Sequence, residues 1–247
     1  MEWFEHDDFW ELTYPFMFPE TRNEKAEEDV LSVLSLSRIE TGDVLDLCCG
    51  PGRFSIPLAR MGYSVTGVDT TGFLLDIARN RASLENVEVE WVEEDMRGFL
   101  RPGSYDLVLN MFTSFGYFQN HSDNMKVLAN VNESLRQGGK FVMEIMGKET
   151  LASIFHPVTD VETDEGLLLI QRHKIEDGWN RIENDWLLID NDRVLGRWKF
   201  SHWVYSATEL RNMLRDAGFS NVEVYGNLEG TPYNSDSGRL IVVATAD

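Results

Sequence analysis

The segment VLDLCCGPGRF, residues 44–54, carries the most legible chemistry in this chain. An apolar strand runs into Gly50-Pro51-Gly52 and then into a helix. Glycine is required where a chain must turn sharply and lie against a ligand with no Cβ in the way. The next strand, SVTGVD, ends in Asp69, the expected distance of about 20 residues after the glycines. A carboxylate placed there accepts hydrogen bonds from both ribose hydroxyls of a nucleoside. A dinucleotide site would ask for G-x-G-x-x-G, so that pyrophosphate meets the helix N-terminus. Ser55 takes the third glycine position and Pro51 removes one backbone N–H, which weakens a pyrophosphate reading without removing it.

The elements that must position these residues alternate between strand and helix. Residues 43–48, 63–68, 87–92, 105–110 and 140–145 read as strands, and residues 54–61, 72–84 and 122–136 as helices. Such alternation means a parallel sheet covered on both faces. Residues 24–36 form a helix before it, and residues 1–20 are aromatic enough to pack on something rather than trail in water. The rhythm changes at residues 159–206. Stretches 167–176, 180–189 and 194–205 are strand-like, with turns at Asp177-Gly178 and Asp190-Asn191-Asp192, and read as an antiparallel meander. A helix at 208–217 and strands at 222–225 and 240–244 complete the α/β pattern. The expected organisation is an N-terminal aromatic segment and helix capping the site (1–40), a Rossmann-like domain (41–155 and 206–247) and an antiparallel β insertion (156–205).

Composition bounds the partners. The 247 residues carry 22 Lys+Arg against 42 Asp+Glu, a net charge of −20, which repels a polyanion and argues against nucleic acid. A cationic or neutral small substrate fits better. No run of about 18 apolar residues suggests a membrane span. The start, MEWFEHDDFWE, is neither a secretory signal nor a transit peptide, so a cytoplasmic location is expected. The two cysteines, Cys48 and Cys49, are adjacent and read as small buried residues rather than nucleophiles. Neither a His pair nor a Cys-x-x-Cys is present, so no metal is expected.

VLDLCCGPGRFS resembles motif I of class I S-adenosylmethionine-dependent methyltransferases, and VTGVD the strand after it. The resemblance continues in order through EEDMRGF (93–99), YDLVLNMFTSFGYF (105–118), LRQGGKFVMEI (135–145) and YSATELRNMLRDAGFSNVEVYG (205–226). It implies a Rossmann-like seven-stranded, mostly parallel sheet of order 3-2-1-4-5-7-6, its last strand antiparallel, with the β insertion after strand 5. It also implies S-adenosylmethionine as cofactor and a role for each matched residue. Cys49, Gly50 and Gly52 would present backbone to the methionine moiety. Asp69 would hold the ribose, with Thr70 beside it. Asp95 and the Met96 N–H would meet adenine. Asn110 would hold the methionine end, and Met111 and Phe112 would line the floor.

Methyl transfer from a sulfonium is an in-line displacement, so the protein mainly positions the nucleophile and excludes water. No catalytic residue is assigned. Tyr14, Tyr117 and His121 are candidates for moving a proton, with His156 and His202 behind them. The aromatic N-terminus and the loop 113–121 are expected to build the substrate pocket, with Trp179, Trp186, Trp198 and Trp203 of the meander completing it. Aromatic groups beside carboxylates suit an amine. DNA amino-methyltransferases place Asn or Asp, Pro-Pro and an aromatic residue where this chain has Asn110-Met111-Phe112-Thr113. The insertion and the ending are similar to small-molecule methyltransferases acting on amino sugars and related metabolites, with Tyr117 where those enzymes carry a His. The expected function is N- or O-methylation of a small molecule. The alternatives are a non-catalytic adenosyl-binding module and an NAD-linked oxidoreductase.

Overall fold

The computed structural model describes residues 2–247. After a short turn at Trp3–Glu5 come helices α1 (Asp7–Met17), α2 (Glu20–Glu24) and α3 (Ala26–Ser37). The sheet region then runs β1 (Asp43–Leu47), α4 (Ser55–Arg60), β2 (Ser64–Asp69), α5 (Gly72–Glu85), β3 (Glu90–Glu93), β4 (Tyr105–Asn110), α6 (His121–Ser134), β5 (Leu135–Ile145) and α7 (Lys148–Ile154). An inserted run follows: β6 (Val158–Glu162), β7 (Leu167–Glu176), β8 (Arg181–Asp190) and β9 (Arg193–Trp203). The chain closes with α8 (Ala207–Asp216), β10 (Phe219–Tyr225) and β11 (Leu240–Ala246).

Seven strands form the main sheet in the order β10-β11-β5-β4-β1-β2-β3, which is the expected 3-2-1-4-5-7-6. β1 to β5 run parallel, whereas β11 lies antiparallel to both β5 and β10. Side chains alternate across a strand, and here both faces are buried. Leu45, Val108, Phe141, Met143 and Val242 join one core with Val131 of α6 and Leu210 and Leu214 of α8. Val44, Leu107, Leu109, Val142 and Ile241 join the other with Val30 and Val33 of α3 and Leu58 of α4. α8 starts at a reciprocal cap, where the Glu209 N–H donates to Ser206 Oγ (3.2 Å) and the Ser206 N–H to Glu209 Oε2 (2.7 Å).

The inserted strands pair antiparallel in the order β6-β7-β8-β9. One face of this smaller sheet is apolar, and Phe9 of α1 is buried against it with Leu169, Trp186, Leu188 and Phe200. α1 and the insertion therefore support each other, and this positions the N-terminal segment.

Five elements differ from the sequence reading. Residues 7–17 form a helix, which seven aromatic residues among the first twenty obscured. Pro15 lies inside it and leaves the Glu11 carbonyl without the main-chain donor that residue 15 would otherwise supply. α7 and β6 are too short to show a period. β5 begins at Leu135, not at residue 140. The glycines that read as a helix stop instead form a bulge, since Tyr105 pairs Leu135 but Leu107 pairs Lys140. β3 is confined to Glu90–Glu93, later than the stretch 87–92 suggested.

Candidate functional site

The carboxyl ends of the central strands and the N-terminal segment together enclose a cavity of about 330 Å³. Ligands in open α/β sheets bind at this edge, where the strand order reverses between β1 and β4. Of the residues expected at a cofactor, Cys49, Gly50, Asp69, Thr70, Asp95, Met96 and Met111 line the cavity, as does Phe112. Gly52 and Asn110 do not.

The glycine corner is held by main chain. The N–H groups of Cys48 and Cys49 both donate to the Val68 carbonyl of β2, at 2.8 and 3.0 Å. Cys48 and Gly50 take left-handed backbone, with φ of 65° and 52°. Asp69 is buried at the end of β2, where it accepts from the Gly50 N–H (2.9 Å) and the Thr71 N–H (3.1 Å). Burial raises its pKa, and these N–H groups pull it back. A Cβ on Gly50 would stand 3.4 Å from the Phe18 ring. Gly52 serves packing instead: its φ is 77°, and a Cβ there would meet the Trp91 ring at 2.8 Å. The Cys48 and Cys49 thiols are pushed up by burial and by nearby Asp69, so neither is a thiolate at neutral pH.

Asp95 and Asn110 are engaged with protein. Asp95 accepts from the Arg97 main-chain N–H (2.7 Å) and from its guanidinium (2.5 Å), while that guanidinium stacks 4.4 Å from the Phe118 ring centre. Arg97 Nε also donates to both Asp95 oxygens, at 3.0 Å each, so Arg97 fills all of the roughly four acceptor positions of this carboxylate, and a cavity ligand would have to displace the Nε contact. Asn110 is buried and donates from Nδ2 to the Leu47 carbonyl (3.1 Å). It ties the tip of β4 to that of β1 and does not line the cavity, and its Oδ1 is buried with no hydrogen-bond partner among the described residues.

The proton-transfer candidates separate sharply. Tyr117 lines the cavity, and burial pushes its pKa up to about 12. Tyr14 packs beside Phe18 and Phe73, outside the cavity. His121 is exposed at the start of α6, near Trp203, and His156 is exposed in the loop before β6. His202 stands behind Tyr117, their rings 4.9 Å apart. Burial lowers its pKa to about 4, and it meets Asn184 Nδ2 at 3.3 Å. The structure therefore brings one of the three leading candidates to the site. None of the four meander tryptophans lines the cavity: Trp186 and Trp198 pack around Phe9, and Trp203 donates to the Phe118 carbonyl (2.9 Å).

Several lining residues were not legible in advance. Asp46 in β1 accepts from Ser55 Oγ (2.6 Å), and burial raises its pKa to about 6. An acid inside an apolar strand was the available signal. Arg22, Arg53 and Arg239 also reach the cavity, from α2, the glycine corner and the chain before β11. They are far apart in sequence, so only folding reveals them as neighbours. After β4, Phe112 and Thr113 both take φ of 57°, a conformation unfavourable for side chains of their size. β5 holds this loop: the Thr113 N–H donates to the Glu144 carbonyl (2.9 Å), and the Met146 N–H to Thr113 Oγ1 (3.1 Å). Among the described residues, no group of His, Cys, Asp and Glu could hold a metal ion. No helix there is long and apolar enough to cross a membrane.

Residues 44–139 match a family model described as a methyltransferase domain. Over 211 residues the chain is 27% identical to a putative methyltransferase, YqeM, of Bacillus subtilis, covering 83% of this chain and 84% of that protein. Its fold resembles an S-adenosylmethionine-dependent methyltransferase from Clostridium acetobutylicum, with a TM-score of 0.79, 16% identity, and 97% and 98% of the two chains covered. It also resembles S-adenosylmethionine-bound CalS10, an amino pentose methyltransferase from Micromonospora echinaspora, with a TM-score of 0.66, 20% identity and 92% of each chain covered. A methyltransferase-domain match, a relative aligned along most of its length and this strand order agree with the glycine corner and its carboxylate: the chain carries a methyltransferase domain and has the fold of S-adenosylmethionine-dependent methyltransferases.

Proposed function

We propose that this enzyme methylates a nitrogen or oxygen of a small molecule. The observation that carries the reading is aromatic enclosure. Trp3, Phe4, Trp10 and Phe18 of the N-terminal segment share one cavity with Phe112, Tyr117 and Phe118 of the loop after β4. Concave, largely apolar sites with a few polar groups suit small ligands, whereas a polymer needs an open groove. The fold likeness to an amino pentose methyltransferase is compatible with a polyhydroxylated amine as acceptor.

The residues present fit the cofactor. Asp69 would take the ribose hydroxyls, with Thr70 alongside. Asp95 and the Met96 N–H would meet adenine, whose ring would rest against Met96 and Leu74, both buried and both lining the cavity. Cys49 and Gly50 would offer main chain to the methionine moiety, over the floor made by Met111. S-adenosylmethionine supplies an electrophilic methyl on a cationic sulfur, and Asp46 and Asp69 place negative charge on the same side. Gly52 and Asn110 act as positioning residues, the first through Trp91 and the second through Leu47. The enclosure holds the acceptor in line and keeps water out. Tyr117 stays protonated at neutral pH, so it orients the acceptor by a hydrogen bond rather than taking its proton.

Incubating the protein with S-adenosylmethionine and a panel of small amines and alcohols, read by mass spectrometry, should show products heavier by one methylene. Tyr117→Phe should lower kcat roughly ten-fold, about 1.4 kcal/mol, while leaving S-adenosylhomocysteine affinity in place. Transfer to a macromolecule and to none of the small acceptors would overturn the reading.

A further inference from the structure

Charge in the cavity is segregated, although the chain as a whole carries −20. Carboxylates lie at the tips of β1 to β3, in Asp46, Asp69 and Asp95. Guanidinium groups gather beyond Phe112. Arg53 is buried, its Cζ 4.4 Å from the Phe112 ring centre, and Arg22 approaches the same ring at 5.7 Å. Arg239 pairs at 3.1 Å with Glu144, near the end of β5. From β3 to β5 the sheet order gives four inter-strand steps, about 19 Å at ~4.8 Å each.

This basic end is undercompensated. Arg53 pairs with Asp29 through Nη2 and donates from Nε to the Arg22 carbonyl (2.8 Å). Its Nη1 is buried, and among the described residues it has no hydrogen-bond partner. Arg22 donates to the Met17 carbonyl (2.7 Å) and has no carboxylate within ion-pair distance among the described residues. Burial and the neighbouring Arg239 and Arg53 lower its pKa, as mutual repulsion requires. A buried unpaired guanidinium N–H is costly unless a ligand receives it, and guanidinium groups match carboxylate and phosphate oxygens in geometry.

We propose that Arg22, Arg53 and Arg239 form an anion subsite for the acceptor, so that the small molecule methylated here carries a carboxylate or a phosphate. This rests on the small-molecule reading and narrows it. A net charge of −20 points toward cationic or neutral substrates, and the local arrangement outweighs it, because pairing at contact distance inside a cavity is screened far less than the distant surface charge. The cofactor's own carboxylate is the competing occupant of these three residues.

The test uses the full chain saturated with S-adenosylhomocysteine and titrated with inorganic phosphate, followed by calorimetry. Saturable phosphate binding is expected. It should weaken at least five-fold in both Arg22→Gln and Arg239→Gln, with S-adenosylhomocysteine affinity changed less than two-fold. Arg53→Gln strips Asp29 of its partner and Arg239→Gln strips the buried Glu144, so Arg22→Gln carries the decision and Arg239→Gln counts only where its Tm matches that of the natural chain. Absence of saturable phosphate binding would overturn the proposal. So would a ten-fold loss of S-adenosylhomocysteine affinity in the variants with phosphate binding unchanged, which would give the arginines to the cofactor. Failure of the small-molecule reading looks different: no small acceptor is methylated. Failure of the anion subsite shows as methylation indifferent to acceptor charge across matched neutral and anionic pairs.

Discussion

At the residue scale, Asp46 shows how the fold trades stability for charge beneath the cavity. In an unfolded chain it titrates near 3.8, and folded, with its carboxyl buried under Ser55, near 6. The native state therefore binds this proton more tightly than the unfolded state does. The contribution is fully present below about pH 4 and is lost as the pH rises through about 6. A shift of roughly two units corresponds to about 3 kcal/mol. Asp69 moves in the same direction, also through burial. The ligand-free protein should lose stability between about pH 4 and pH 6, and Asp46→Asn should flatten that decline in denaturant titrations at each pH. An unchanged slope would mean that Asp46 is not the group responsible. Asp69 and the glycines were legible because their roles depend on local spacing along one strand-loop-strand unit. Asp46 looked like part of an apolar strand, and the arginine cluster is created by the fold alone.

At the element scale, α1 is the piece on which enclosure depends. Phe9 is fully buried among Leu169, Trp186, Leu188 and Phe200 of the inserted sheet. Phe9→Ala should cost about 3–5 kcal/mol. It should also speed hydrogen exchange across residues 7–17 and weaken S-adenosylhomocysteine binding, because Trp3, Trp10 and Phe18 lose their support. Unaltered exchange in that segment would show that α1 is held by something else. The main sheet was legible because parallel strands buried on both faces leave continuous apolar runs such as LIVVATA, separated by helices of regular period. The helix at residues 7–17 was not, since aromatic residues on several sides of it hide a 3.6-residue pattern. The meander tryptophans suggested a pocket, but Trp186 and Trp198 turn onto α1, Trp203 onto the loop after β4, and Trp179 sits in the turn before β8 against Phe155. A tryptophan-rich sheet face does not by itself say whether it covers a ligand or a helix.

At the scale of the whole molecule, two sheets share one N-terminal segment, and a net charge of −20 is spread over 247 residues. Self-repulsion of that size opposes the compact state and is screened by salt. Raising NaCl from about 20 mM to about 0.5 M should raise the ligand-free Tm by a few degrees. A salt-independent Tm would mean that the surface charges are already locally compensated. The strand order and the cofactor edge follow from the ordered blocks of sequence, whereas what lies on the acceptor side depends on contacts between distant segments. Calorimetric titration with S-adenosylhomocysteine, comparing the natural chain with Asp69→Ala, bears most directly on the site. Ribose hydroxyls that lose a charged acceptor should cost about 1–3 kcal/mol, roughly 5- to 150-fold in affinity, with the fold retained. Equal affinity in the two proteins would contradict a nucleoside held at the tip of β2.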